Sequence, residues 1–181
     1  LTRHELLGRE GRRVKEHYRK EADRVGLPWN GRVYIPGDFN AGDPLNQAIT
    51  AAAQCMYGVA QTTVAALGCS PGLGFIHSGH ELAFVLDIAD LYKTEIAIPV
   101  AFEEAAHSPD DVGSRTRRAV RDRINKVGLL KRCVGDIKRL LLTGDTAETG
   151  AVDEDVDRVL LQSDHGIELE SGRNYADEVP W

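Results

Sequence analysis

The chain has 181 residues, of which 42% are hydrophobic and 28% charged, with a formal net charge of −6. That is enough apolar material for one domain or a little more, and too balanced a mixture for a wholly disordered chain. No stretch is long and apolar enough to span a membrane and no signal peptide is visible; three widely spaced cysteines (Cys55, Cys69, Cys133) without a CxxC point to a reducing, cytoplasmic setting and away from a cysteine-based zinc site.

Residues 3 to 25 are expected to be helical, because Leu7, Val14, Tyr18, Ala22 and Val25 recur at roughly helical spacing. Glu10 falls on the inward stripe, while Arg9, Arg12 and Arg13 spread toward solvent. Gly26 and Pro28 end the helix. Asn30-Gly31 is a turn signal, and the following Arg32-Val33-Tyr34-Ile35 predicts a short strand or hairpin near 30–36. Asp43-Pro44 reads as an N-cap and an N1 proline opening a long helix to about Leu67, whose alanines permit close packing. Gly68 to Gly74 breaks it. The Gly-x-Gly at Gly72-Leu73-Gly74 follows a helix, not a strand, so it is no nucleotide fingerprint.

The next helix is expected to start between Ser78 and Glu81, which resemble a capping box, and to run to about Lys93. Leu82, Val85, Leu86 and Ala89 form its apolar face, with Asp90 on the border and Asp87 one step round. Pro99 to His107 is a further helix. Ser114 to Leu142 reads as one or two helices divided at Gly128, and Asp153 to Gln162 as a weaker acidic helix. Gly166 to Trp181 shows no strong pattern. The fold class is therefore all-α.

Charge is segregated along the chain. Residues 144–181 hold eleven acids and two arginines, and residues 1–143 hold seventeen acids and twenty Lys or Arg. The division predicts a helical domain over 1–143 and an acidic tail over 144–181. The stretch 114–139 carries Arg115, Arg117, Arg118, Arg121, Arg123, Lys126, Lys131, Arg132, Lys138 and Arg139 against only Asp122 and Asp136. Such a run suits a polyanion such as DNA; a solvated helix face is the plainer alternative.

Four residues stand out chemically: Glu10, His77, Asp87 and Asp90. Charge on or near an apolar helix face is costly unless a metal or partner compensates it. Asp87 and Asp90, three apart, lie on one side of a helix. Three acids and one imidazole suit a hard divalent cation such as Mg²⁺ or Mn²⁺ better than zinc, and carboxylate-held ions of that kind act on phosphodiesters. Asp90 lies about 13 Å beyond the latest helix start. His77 therefore reaches it only if the preceding loop folds back along the helix.

At Gly8-Arg9-Glu10-Gly11, at Ala66 to Gly79, and at Phe84-Val85-Leu86-Asp87-Ile88-Ala89-Asp90, the sequence closely resembles the CRISPR adaptation integrases, the Cas-one family, in its subtype I-E branch. The resemblance covers about Leu1 to Leu142, the family's helical catalytic domain. It implies a Mg²⁺- or Mn²⁺-dependent DNA endonuclease and integrase that joins prespacer 3′-OH ends to phosphodiesters at a CRISPR repeat. By resemblance, Glu10, His77 and Asp90 are metal ligands and Asp87 is a second acidic residue needed for activity. Asp87 would orient the nucleophile, take its proton or assist a second ion. Tyr34 and Tyr57 match tyrosines of the prespacer-binding region. The position three after the family's metal histidine is often a DNA-contacting lysine, and here it is His80. The family also implies a Cas-two partner, a homodimer and an N-terminal β-rich domain, which this sequence does not contain. Leu1 is not an initiator methionine, which fits a fragment, an expressed piece or a processed product alike. Two rival readings remain: a general metal-dependent nuclease for branched or repair DNA, and a non-catalytic helical DNA-binding module.

Overall fold

The computed structural model describes residues 3–38, 41–142, 160–162 and 168–170. The chain divides into two compact units, residues 1–141 and 142–181. The described part of the first is all-helical. It comprises α1 (Arg3–Val25), α2 (Pro44–Ala66), α3 (Ala83–Tyr92), a π-helical turn (Lys93–Ala97), α4 (Ile98–His107), α5 (Val112–Lys126) and α6 (Leu129–Leu141). The second contains a short antiparallel pair, β1 (Leu160–Gln162) and β2 (Glu168–Glu170), with Leu161 opposite Leu169.

Helix α2 is the axis of the first unit and packs against α3, α4, α5 and α6. Its buried Ala48, Ala51, Ala52 and Ala60 have no bulk to hold neighbours away, so helices approach closely around Met56 and Val64. Asp43 caps its start, accepting a hydrogen bond from the Asn46 N–H at 2.8 Å, and Pro44 occupies the first turn. Helix α1 lies against α4. An aromatic cluster joins them: Tyr18 and Phe102 have ring centroids 6.2 Å apart, and Trp29 packs on Tyr18 at 4.8 Å. Arg24 adds ion pairs to Glu21 at 2.7 Å and, across to α4, to Glu103 at 3.0 Å. These contacts fix the face of α1 that carries Glu10.

Helices α3 and α4 form one rod interrupted by the π-helical turn. Proline brings no N–H and its ring clashes with the carbonyl four residues back. Pro99 therefore cannot continue a regular α-helical ladder, and the chain widens ahead of it, with the Ile98 N–H reaching back to the Lys93 carbonyl. Helix α6 clamps the widened turn. Arg132 makes a two-pronged pair with Glu95 at 2.8 Å per prong, and the Tyr92 hydroxyl donates to Asp136 at 2.6 Å.

The expected breaks at Gly26 and Gly128 are found, both with positive φ. Three expectations need correction. No strand forms near 30–36; only an isolated bridge joins Ile35 and Asp38. The backbone there is satisfied by a side chain instead. Buried Asn46 accepts from the Val33 N–H at 2.8 Å and donates to the Gly31 carbonyl at 3.2 Å. Next, α3 starts at Ala83 without a Ser78–Glu81 capping box, and no side chain caps it. The loop supplies the start: the Phe84 N–H donates to the Pro71 carbonyl at 2.7 Å. Finally, residues 160–162 of the expected acidic helix are a strand, because residues 168–170 pair with them and complete their backbone hydrogen bonds. Residues 153–159 lie outside the described residues.

Candidate functional site

The loop before α3 does fold back along it, and Asp87 is what holds it there. The Asp87 side chain is only 6% exposed. Its Oδ2 accepts from the N–H groups of Phe75 and Ile76, at 2.5 and 3.0 Å. Its Oδ1 accepts from the His77 N–H at 3.0 Å and meets His77 Nδ1 at 2.7 Å. Burial pushes the Asp87 carboxyl up, but these donors outweigh it and hold the group below the usual carboxylate range. Gly74 makes the close approach feasible: a Cβ there would stand 2.6 Å from the His77 carbonyl oxygen and 2.8 Å from Asp87 Oδ2.

An ionised Asp87 can only accept, so Nδ1 of His77 carries a hydrogen, and in the neutral ring Nε2 is then the nitrogen with the free lone pair. A histidine oriented by a buried carboxylate is a familiar outer-shell arrangement at metal sites. In this geometry Asp87 acts through His77 and the 75–77 loop. Its acceptor positions are taken, so none of the three direct roles implied by the resemblance is favoured.

Glu10 of α1 and Asp90 of α3 meet across the fold. Burial pushes the Glu10 carboxyl up to about 7, helped by a hydrogen bond to Asp90 and by the Asp90 charge; His77 and Lys93 oppose the rise. Two carboxylates in contact cannot both be ionised cheaply without a cation. Asp90 Oδ1 is buried and, its ion pair with Lys93 Nζ apart, has no hydrogen-bond partner. The residues thus suit a divalent ion: two hard oxygen donors with excess negative charge, and one imidazole nitrogen. As they stand, no three acidic, histidine or cysteine side chains among the described residues are grouped as a ready-made metal cage. Lys93 is seated on Asp90, and Glu10 is hydrogen-bonded to Asp90.

Two clefts flank the cluster. One, of about 690 Å³, is lined by Glu10, Lys15, Tyr18, Arg19, Arg32 and His77, among others. The other, of about 650 Å³, is lined by Tyr18, Arg32, Tyr34, Tyr57, His80 and Lys93, among others. Tyr18 and Arg32 belong to both walls. Tyr34 and Tyr57, remote in sequence, therefore share one cleft. Arg32 stacks 5.5 Å from the Tyr34 ring centroid, and its guanidinium donates to Thr50 Oγ1 at 2.7 Å and Asn46 Oδ1 at 3.1 Å.

The basic run separates into structural and surface members. Arg115 is spent inside the fold. It donates to Glu104 Oε2 at 3.1 Å and the Ser108 carbonyl at 2.8 Å, and also to the carbonyls of Glu104 and Asp110. It closes the end of α4, so its expected part in DNA contact is not supported by its surroundings. Arg117, Arg118 and Arg121 are exposed on α5, where they pair with Ser114, Asp111 and Asp122 respectively. Lys93 and Arg32 were not picked out by sequence reading. For Lys93 the signal was available, a lysine three residues after Asp90 on the same helical stretch.

No family model matches the chain. It is 43% identical over 180 residues to the CRISPR-associated endonuclease Cas1 of Clostridium sp. (strain SY8519), covering 98% of this chain and 58% of that protein. It is 41% identical to CRISPR-associated endonuclease Cas1 2 of Thermus thermophilus, covering 99% of this chain and 56% of that protein. The similarity thus runs through the acidic tail, beyond the Leu142 limit expected from motifs. The Escherichia coli Cas1 is 40% identical over 141 residues, covering 78% of this chain and 46% of that protein, which is compatible with the I-E-like resemblance. Among solved structures, a TtCas1–DNA complex superposes with a TM-score of 0.73 at 44% identity, covering 77% of this chain and 53% of that one. The chain spans a little over half the length of the first two curated relatives. Its sequence and its helical fold together place it in the Cas1 family.

Proposed function

We propose that this chain is the helical catalytic part of a metal-dependent DNA endonuclease and integrase of CRISPR spacer acquisition. The observation that carries the reading is convergence. Glu10 from α1 pairs with Asp90 from α3, and His77 from the loop lines the same cleft as Glu10, although the chain separates the three widely. The names of the curated relatives and the DNA complex of TtCas1 support a nuclease acting on DNA.

Glu10, His77 Nε2 and Asp90 would hold Mg²⁺ or Mn²⁺, which supplies charge stabilisation at a phosphodiester and activation of a hydroxyl. The protein's own part is orientation. Asp87 fixes the His77 tautomer, and Gly74 lets the loop sit tightly enough for that bond. The aromatic contact of Tyr18 with Phe102 sets the height of Glu10 on α1. In the neighbouring cleft Tyr34 and Tyr57 would contact prespacer DNA, and Arg117, Arg118 and Arg121 would meet the phosphate backbone without reading sequence. The family's Cas-two partner, homodimer and CRISPR-repeat target belong to the same proposal. So does a division into a helical catalytic domain over 1–143 and an acidic tail.

The test is strand transfer with 3′-OH and 3′-blocked donor DNA in Mg²⁺ or Mn²⁺. Joined product only from the 3′-OH donor, lost in Glu10→Gln, is the expected result. Cleavage without joining would favour a general nuclease for branched or repair DNA. DNA binding with neither reaction would favour a non-catalytic module.

A further inference from the structure

We propose that Lys93 is a built-in counter-ion that holds the cation's place at Asp90 and must leave it when a divalent metal binds. The inference rests on the metal site proposed above.

Lys93 opens the π-helical turn, three residues after Asp90. Its Nζ contacts Asp90 Oδ1, and the two side chains are only 18% and 15% exposed. On its other side the ammonium lies 5.6 Å from the centroid of the Tyr57 ring, within cation–π range. The ammonium is thus held between a carboxylate and an aromatic face, both of which attract a cation. The lysine head group therefore sits against the same oxygen that a metal would need.

Both cations cannot bind one carboxylate oxygen at contact distance. The side chain does have somewhere to go. Lys93 already lines the cleft it shares with Arg32, Tyr34 and Tyr57. Arg32 also borders that cleft, so a displaced ammonium would join a second cation there and favour an anion such as a phosphate. Metal loading would thus prepare the neighbouring cleft for a nucleic-acid backbone. The turn's clamp by Arg132, Glu95, Tyr92 and Asp136 keeps the backbone fixed, so the exchange falls to the lysine side chain rather than to the helix.

The experiment is a calorimetric Mn²⁺ titration of the wild-type protein, Lys93→Met and Lys93→Arg. Removing the competing charge should tighten Mn²⁺ binding roughly tenfold in Lys93→Met, a modest fraction of the Coulomb interaction at such short range. Lys93→Arg, which keeps the charge, should bind no tighter than wild type. Lys93→Met also leaves Asp90 without its cation, so the metal-free variant should melt lower and gain more Tm from Mn²⁺ than wild type does. A second readout covers loss of folding in the variant. In wild type labelled at lysine side chains, the Lys93 resonance, assigned by its absence in Lys93→Arg, should move on adding Mg²⁺ as it leaves the Tyr57 ring. Wild-type binding with no tightening in Lys93→Met, or a Lys93 resonance unmoved by saturating Mg²⁺, overturns the exchange. Absence of Mn²⁺ binding in wild type and Lys93→Met alike overturns the metal site itself, and this inference with it.

Discussion

At the scale of single residues, the cluster works through the partners that hold each group in place. Asp87 binds the Nδ1 side of His77, which leaves Nε2 as the ring nitrogen available to a metal. Asp87→Asn keeps the shape but puts an amide where two oxygens accept. Mn²⁺ affinity should fall about tenfold, in line with other outer-shell losses, and the His77 ring ¹⁵N shifts should report a mixed tautomer. Unchanged ¹⁵N shifts would mean that Asp87 only stabilises the loop. Glu10 gives a pH prediction. Its folded-state carboxyl is raised to about 7 from an ordinary 4.5. The folded protein therefore holds this proton more tightly than the unfolded chain. The resulting stability is fully present below about 4.5 and is lost as pH rises through about 7. Metal-free thermal melts should show that loss, and Glu10→Gln should remove it. Mn²⁺ affinity should strengthen over the same rise, because the ion needs the carboxylate. These two opposite trends come from one proton. Glu10, His77, Asp87 and Asp90 were legible in the sequence as motifs. Their division of labour was not, because nothing in the spacing says that Asp87 accepts three backbone N–H groups.

At the scale of elements, positions were set by what the chain could not do locally. Pro99 could not continue the α-ladder, and the π-helical turn that resulted carries Lys93 at its start. Sequence periodicity located the helices on either side but missed their continuity, since a proline reads as a stop. The segment after Asn30 read as a strand because Val33, Tyr34 and Ile35 have the right side chains; the structure gives it a side-chain partner, Asn46, instead of a strand. Gly74 is the tightest fit in the loop. Gly74→Ala should push the loop off Asp87, lower Mn²⁺ affinity and speed amide exchange at residues 75–77, while leaving α5 and α6 protected. Among the basic residues, Arg115 and the α5 surface should separate cleanly. Arg115→Ala should lower stability by about 1–3 kcal/mol, because the α4 end loses hydrogen bonds to a charged group. Replacing Arg117, Arg118 and Arg121 together should leave the melting curve nearly unchanged and flatten the salt dependence of duplex binding by about one unit per lost phosphate contact. An unchanged slope would make that face merely solvated.

At the scale of the whole molecule, the all-α class, the helix count around α2 and the segregation of charge were readable from apolar periodicity and composition. The reason is that one apolar stripe per helix is enough to build this unit. The site was readable only as separate motifs, because its assembly depends on aromatic contacts between α1 and α4 and on a loop folded back over α3. The acidic residues 144–181 net −9. Ending the chain after Thr143 should raise non-specific duplex binding if that charge competes with DNA, with a gain that shrinks as salt screens it. Lower binding on truncation would instead assign the tail to the DNA or partner surface. The claim on which the rest depends is that Glu10, His77 and Asp90 share one ion. Anomalous diffraction from crystals soaked in Mn²⁺ tests it most directly. The account predicts one strong peak bonded to Glu10, His77 Nε2 and Asp90 at roughly 2.0–2.6 Å, with Lys93 Nζ withdrawn from Asp90. A peak held by other residues, or an ion beside Glu10 with Lys93 still seated on Asp90 and His77 unbound, would contradict it.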